Sequence, residues 1–153
     1  AWMNQGRAAL GRRSLVLDTG LTASAESWAS GMRNRWVDAG CPSSTSGQLA
    51  HSKLSTQYNF AAAVPVFHKG GENVGVVSTV DASTTAGRRA GLDMLHTAYR
   101  NSAGHWANVV DPVFTDVGIA VVYGPTPAQQ SHNTQCAKVR ANSYLWSTQA
   151  FAG

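Results

Sequence analysis

The sequence has few charged residues and no long apolar run. Only 13% of its 153 residues are charged, whereas 43% are hydrophobic. No apolar stretch approaches the roughly 20 residues that cross a bilayer, and no positively charged start followed by an apolar stretch marks a signal peptide. These absences exclude a membrane-spanning helix. Because the chain opens directly in helix-like sequence, we expect a mature or trimmed domain whose targeting segment lies upstream.

Length and charge predict one domain that does not bind nucleic acid. The chain is long enough for one well-packed core and too short for two ordinary domains. Its net charge of +4 comes from scattered residues and the pairs Arg12-Arg13 and Arg88-Arg89, whereas nucleic-acid binding needs a basic stripe. The charge therefore serves either solubility or a weak attraction to an anionic envelope surface. We expect a monomer.

Cysteine is scarce, with Cys41 and Cys136 as the two representatives. Both lie in polar, loop-like sequence, which favours a disulfide and leaves two unpaired thiols as the alternative. A bond between them would close a long loop and stabilise the fold by about 4 to 5 kcal/mol in the chain-entropy model. It would also agree with export to an oxidising compartment. No Cys-x-x-Cys spacing is present, so we expect no thiolate metal site.

Hydrophobic spacing predicts two long helices and a short one. The apolar face of the first long helix carries Leu21, Ala25, Trp28, Ala29, Met32 and Trp36. Thr22 is its candidate N-cap, and Gly40 ends the pattern. The second long helix covers residues 85–101, and the short one covers residues 4–10. Candidate caps of the second helix are Asp81, Ser83 and Thr84.

Runs of β-branched and aromatic residues predict three strands, over residues 74–79, 117–123 and 143–151. The last two strands can pair as an antiparallel hairpin with a long connection. Helices and strands in this order predict an α+β fold, in which helices cover the faces of a small antiparallel sheet.

Three short polar segments carry His51, Glu72 and His105, each next to apolar sequence. Two neutral imidazoles that arrive from different loops can hold Zn²⁺ or another divalent cation. Glu72 lies among glycines, where the backbone can turn a carboxylate inward, as a third ligand or as a base that holds a metal-bound water. The three segments therefore predict one cleft.

The residues of these segments and their order along the chain resemble the CAP superfamily in its bacterial form. This superfamily is the SCP-like extracellular domain of cysteine-rich secretory, antigen-five and pathogenesis-related proteins. The likeness also includes residues 4–7, 21–29 and 145–153, so it runs almost from end to end. It implies a single domain over residues 1–153 with a three-layer α-β-α sandwich. It also implies a secreted or cell-surface location and cleft roles for the two histidines and the glutamate.

Five further residues are candidates for the ligand cleft. They are Ser52, Asn73, Asn101, Ser102 and Trp106. The polar ones can make hydrogen bonds that fix the histidine tautomers, although Ser52, Asn101 and Ser102 can equally satisfy their own backbone. The pattern departs from many eukaryotic relatives, because Asp93 is the sole carboxylate between Arg88 and Gly104. This departure weighs against a mechanism with two acid/base carboxylates.

The resemblance favours a secreted, non-enzymatic domain whose cleft, with or without a metal, binds a lipid, a cell-envelope component or a protein. A metal-assisted peptidase or esterase that uses Glu72 is the alternative enzyme. A structural envelope module with a vestigial cleft is a third possibility. Neither a Gly-x-Ser-x-Gly elbow nor a His-Glu-x-x-His helix is present. The remaining histidines lack a motif and are interpreted as residues without a ligand role: His68, His96 and His132.

Overall fold

A four-stranded sheet with helices on both faces forms the fold in the computed structural model, which describes residues 2–78 and 81–153. The strands are β1 (Val16–Leu17), β2 (Gly70–Ser78), β3 (Asp116–Gly124) and β4 (Tyr144–Ala152). The helices of the described residues are α1 (Trp2–Ala8), α2 (Thr19–Asp38), α3 (Leu54–Gln57), α4 (Phe60–Ala63), α5 (Thr85–Asn101), α6 (Ala103–Val110) and α7 (Pro127–His132), with a 3₁₀ turn at Thr134–Lys138. The predicted α+β sandwich is confirmed.

The sheet is mixed, not purely antiparallel as predicted. Its strand order is β1-β3-β4-β2, and β4 pairs antiparallel with both neighbours over its full length. The short β1 lies parallel to β3 and was missed because two residues carry no alternation pattern. Strand β2 begins at Gly70, four residues before the predicted start, so Glu72 lies in a strand rather than a loop. The predicted end of that strand, Thr79, lies outside the described residues.

The two long helices lie where hydrophobic spacing placed them. Thr84 caps α5 by accepting a hydrogen bond from the Gly87 amide at 3.0 Å. The prediction of Thr22 as the cap of α2 is wrong, because Asp18 accepts from the Leu21 amide at 2.7 Å and begins the helix earlier. The Thr22 hydroxyl instead donates to the Asp18 carbonyl within the first turn.

Small residues let α2 lie close to the sheet. Gly118 faces this helix, and a Cβ atom at that position would clash with the backbone of Leu21. Ala120 and Ala150 continue the same face and are buried with Leu21. On the opposite face, Leu145 packs against α5, and Phe151 packs against α6. The hydrophobic core therefore occupies both sides of β4. No helix of the described residues is long and apolar enough to cross a bilayer.

A fully buried arginine, Arg7, connects α1 to the end of α6 and to the segment before β3. The guanidinium of Arg7 donates to the main-chain oxygens of Arg13, Val109, Asp111 and Phe114, at 2.6 to 2.9 Å. Burial lowers the pKa of Arg7, and the nearby Asp111 charge partly offsets that effect. One side chain thus satisfies the carbonyl groups at the end of α6 and before β3, which agrees with the fork geometry of arginine donors.

We expect Arg7→Met to lower the free energy of unfolding by about 3 to 5 kcal/mol, because the buried carbonyl oxygens lose their donor. Urea denaturation followed by circular dichroism measures the loss. The matched control is Arg12→Met at an exposed position, which should change the free energy by less than about 0.5 kcal/mol. Equal effects of the two substitutions would contradict the role of Arg7.

The two cysteines form a disulfide, as their setting favoured, with an S–S distance of 2.04 Å. Both are fully buried, although their polar sequence surroundings indicated exposure. The reason is that Cys41 lies just beyond the C-cap of α2 and packs with Trp36 and Trp146, in the same cluster as Cys136 of the 3₁₀ turn. The bond joins positions 95 residues apart and fastens this turn to the end of α2.

The double substitution Cys41→Ala and Cys136→Ala should lower the free energy of unfolding by up to about 4 to 5 kcal/mol in the chain-entropy model. Denaturant titration measures it. Reductant should reproduce the loss in the native sequence and leave the double variant unchanged. A native sequence that keeps its stability after complete reduction would contradict this expectation.

Candidate functional site

The carboxylate of Glu72 is buried at the edge of the sheet and held by three donors. Its side chain is 1% exposed. Oε1 accepts from the Ser52 amide at 2.8 Å and contacts His51 Nδ1 at 3.0 Å, while Oε2 accepts from the Tyr58 hydroxyl at 2.5 Å. Because a buried charge is costly unless it is hydrogen-bonded, these contacts stabilise the carboxylate. They also fasten residues 51–58 to β2.

The contact with Glu72 sets the tautomer of His51. A carboxylate accepts, so Nδ1 of the ring carries the proton, and in the neutral ring Nε2 keeps its lone pair. The His51 side chain is 61% exposed. The ring is therefore anchored on one side and offers its second nitrogen as a ligand.

His105 lies on α6, not in a loop as its segment indicated. Its half-buried ring packs edge-on against Tyr99, with 5.0 Å between the ring centroids. Burial lowers the pKa of His105, and the charge of His51 lowers it further. His51 contacts Glu72 directly, and the main-chain oxygen of His105 is held by Asn73, the next residue of the same strand.

A buried amide network fixes α6 to the sheet. Asn73 Nδ2 donates to the main-chain oxygen of His105 and to Gln149 Oε1, both at 3.0 Å. Asn108 Nδ2 donates to Asn73 Oδ1 at 2.9 Å and to the main-chain oxygen of Glu72 at 3.2 Å. The network connects β2, α6 and β4 directly beside the histidine. Of its members, sequence reasoning singled out Asn73 and missed Asn108, although Asn108 follows His105 by one helical turn.

Tyr58 is a second residue that sequence reasoning missed. Burial and the neighbouring Glu72 raise the pKa of its phenol. Its ring borders an apolar groove of about 390 Å³, which Leu54, Phe60 and Phe67 also line. The rings of Phe60 and Phe67 stack with centroids 5.5 Å apart. The signal was the set of aromatic residues between the first histidine segment and Glu72.

The other predicted cleft residues differ in their surroundings. Ser52 belongs to the site: its Oγ is buried beside Tyr58 and makes no hydrogen bond of acceptable geometry with described residues. Ser102 joins α5 to α6, with its amide 3.4 Å from the Tyr99 oxygen. Asn101 is exposed at the end of α5. Trp106 packs on α1 under the Arg100 guanidinium, which lies 4.7 Å from its ring centroid, so the structure does not bring it to Glu72.

The side chains of the cleft that are of a metal-binding type are two imidazoles and one carboxylate, and the carboxylate already accepts hydrogen bonds. No group of three or more His, Cys, Asp or Glu side chains within residues 2–78 and 81–153 has an arrangement that could hold a metal ion. Both carboxylate oxygens of Glu72 already accept hydrogen bonds. A divalent cation at this cleft would have to use the two histidine nitrogens as its protein ligands, with Glu72 orienting His51 from behind. Water or a bound ligand would have to complete the coordination.

The model of the cysteine-rich secretory protein family, CAP, matches residues 2–136. The chain belongs to this family. An outer surface protein from Borrelia burgdorferi is a similar solved structure, with a TM-score of 0.58, 14% identity, and coverage of 99% of this chain and 86% of that chain. At this identity the likeness concerns the fold. No curated protein matches the sequence.

We expect Tyr58→Phe to lower the free energy of unfolding by about 1.5 to 3 kcal/mol, since it removes a hydrogen bond to a charged group. In a Glu72→Gln background, the same substitution should cost clearly less, because the charge is gone. Denaturant titration of the four proteins gives the coupling energy. Identical costs in both backgrounds would show that the Tyr58 hydroxyl does not stabilise the fold through the charge of Glu72.

Proposed function

We propose that the chain is an extracellular or cell-surface binding domain whose cleft holds a divalent cation such as Zn²⁺ and engages a ligand without catalysis. The contact between Glu72 Oε1 and His51 Nδ1 carries the proposal. Metal-ligating histidines commonly donate their second ring N–H to a carboxylate, which fixes the ring and raises its basicity. Here a buried carboxylate holds a largely exposed imidazole in that way.

Three observations support a location outside the cell. The chain belongs to the cysteine-rich secretory protein family. It contains a disulfide, which persists in oxidising compartments. The similar Borrelia structure is an outer surface protein.

His51 and His105 are the residues that would hold the cation. A lowered pKa keeps His105 neutral at neutral pH, and neutral imidazole is the form that binds a metal. A cation would supply positive charge and open coordination positions to which an oxygen of the ligand could bind. The buried Ser52 hydroxyl beside Tyr58 offers one more polar group to the same region.

Binding is better supported than hydrolysis. A general base must reach the water that it activates, but the Glu72 side chain is 1% exposed and receives three hydrogen bonds. The sequence provides no second carboxylate on the helix before His105 except Asp93, which borders a different cavity on α5. A metal-assisted peptidase or esterase with Glu72 as its base remains the alternative function.

The apolar groove beside Glu72 indicates the kind of ligand. Tyr58 belongs to both surfaces, because its hydroxyl contacts the carboxylate and its ring borders the groove. Phe60 and Phe67 extend the apolar wall. A ligand with a polar end at the histidines and an apolar portion on these rings would fit both surfaces. A lipid, a cell-envelope component or a protein side chain can meet this description.

Isothermal titration of the metal-free protein with Zn²⁺ tests the cation site. We expect saturable binding that weakens at least about tenfold in His51→Ala and in His105→Ala, because each removes one of two nitrogen ligands. The matched control is His132→Ala at an exposed position, which should bind as the native sequence does. Equal affinity in all four proteins would reject the site.

A panel of peptide and ester substrates, with and without chelator, tests the absence of catalysis. We expect no turnover above the buffer rate. Turnover that disappears on chelation and in Glu72→Ala would replace the binding function with the hydrolase alternative. Because the zinc titration and the substrate panel are separate measurements, the cation site and the absence of catalysis can fail independently.

A further inference from the structure

A second cavity, of about 270 Å³, lies between α5, the beginning of α1 and the sheet. Its apolar wall includes Trp2, Leu92 and Ile119. Leu92 and Ile119 are 45% and 37% exposed, so the cavity has an apolar rim that water reaches. Trp2 also stacks on the ring of His96, with 3.8 Å between centroids. The His96 ring thus covers one face of the Trp2 indole at this rim.

The floor of the cavity is polar. Ser147 and Gln149 of β4 and the Tyr99 side chain of α5 border it, and they are 1%, 3% and 2% exposed. Ser147 pairs with Gly75 across the sheet. A Cβ atom at Gly75 would lie 2.7 Å from the Tyr99 hydroxyl oxygen. The absence of a side chain at Gly75 thus lets that hydroxyl reach the surface of the sheet.

The Tyr99 hydroxyl is buried, and Ser147 is the polar side chain next to it. The hydroxyl makes no hydrogen bond of acceptable geometry within the described part of the chain. Burial raises the pKa of the phenol, so the group stays protonated. Leaving a buried polar group unpaired is costly, and native proteins contain few such groups.

Gln149 presents a second donor, and the amide network identifies it. The His105 carbonyl can only accept, so the Asn73 atom that contacts it is the nitrogen Nδ2. The Gln149 atom that receives a bond from the same nitrogen must then be the oxygen Oε1. Nε2 of Gln149 is left to donate, and no described residue accepts from it.

We propose that this cavity binds a small neutral molecule that has a planar apolar body and an acceptor oxygen, such as a carbonyl. The oxygen faces the donors of Tyr99 and Gln149, and the planar body lies against Trp2 and Leu92. Uncharged donors favour a neutral acceptor, and Asp93 at the lining disfavours an anion. Apolar walls with a few convergent polar groups are typical of small-molecule sites. The inference does not depend on the cation site at His51.

Two probes of the same shape test the proposal. Acetophenone has a planar ring and a carbonyl oxygen, whereas α-methylstyrene replaces that oxygen with a CH₂ group. In ¹H–¹⁵N spectra of the full chain, we expect acetophenone to cause saturable shifts on α5 and β4. We expect α-methylstyrene to bind at least about fivefold more weakly, the effect of one neutral hydrogen bond.

Substitutions distinguish the contribution of the Tyr99 hydroxyl to binding from the contribution of the cavity walls. Tyr99→Phe should weaken acetophenone binding about fivefold and leave α-methylstyrene binding unchanged, because it removes the donor and keeps the ring. The matched control is Tyr123→Phe at a 39% exposed position outside the cavity lining, which should affect neither probe. Leu92→Trp at the exposed rim should abolish binding of both probes by filling the cavity, even if Tyr99→Phe does not fold.

Several results would overturn the proposal. The absence of saturable binding would mean that the donors serve water alone. Equal affinities for the two probes would show that the floor recognises no acceptor. Shifts that map to Phe60 and Phe67 would place the probe in the groove beside Glu72 instead.

Discussion

The burial of one carboxylate, that of Glu72, organises the candidate cleft. A negative charge inside the edge of a sheet needs donors, and residues 51–58 supply them as an imidazole, an amide and a phenol. Satisfying the charge sets the ring orientation of His51. It also draws Tyr58 against the sheet and so shapes one wall of the apolar groove. The polar and apolar halves of the cleft therefore follow from the same requirement.

The side chains of β2 point alternately to the two faces of the sheet, and this alternation also helps to position the second histidine, His105. Successive side chains of a strand point to opposite faces, so Glu72 and Asn73 face opposite ways. Glu72 holds the irregular segment that carries His51, while Asn73 holds the main-chain oxygen of His105 on α6. Two consecutive residues of one strand thus set the positions of two histidines that are 54 positions apart in the sequence. Gly70 and Gly71 precede this pair and carry no side chains, whereas Val74 follows it and packs in the core.

Hydrophobic periodicity in the sequence predicted the long helices. The short elements and several site residues depend on contacts between distant parts of the chain. Helix α5 lies where its apolar spacing placed it, since seventeen residues give several repeats of the pattern. Helix α6 has eight residues and directly follows α5, so its own period was too short to separate from a loop. The segment motifs singled out His51, Glu72 and His105. They could not identify Asn108 or Gln149, whose roles arise from strand register and from partners more than thirty residues away.

Tyr99 connects the two sites physically. Its ring edge contacts His105 of the cleft, and its hydroxyl lies over Gly75 at the floor of the second cavity. Burial raises the pKa of this phenol, and the charge of Glu72 raises it further, so the hydroxyl keeps its proton. Gln149 makes a parallel connection through Asn73. An acceptor bound to both donors would hold the Tyr99 ring and the amide network in place. The Tyr99 ring packs against the imidazole of His105, and Asn73 of the amide network holds the main-chain oxygen of the same residue, so the second cavity and the helix that carries His105 share these two supports.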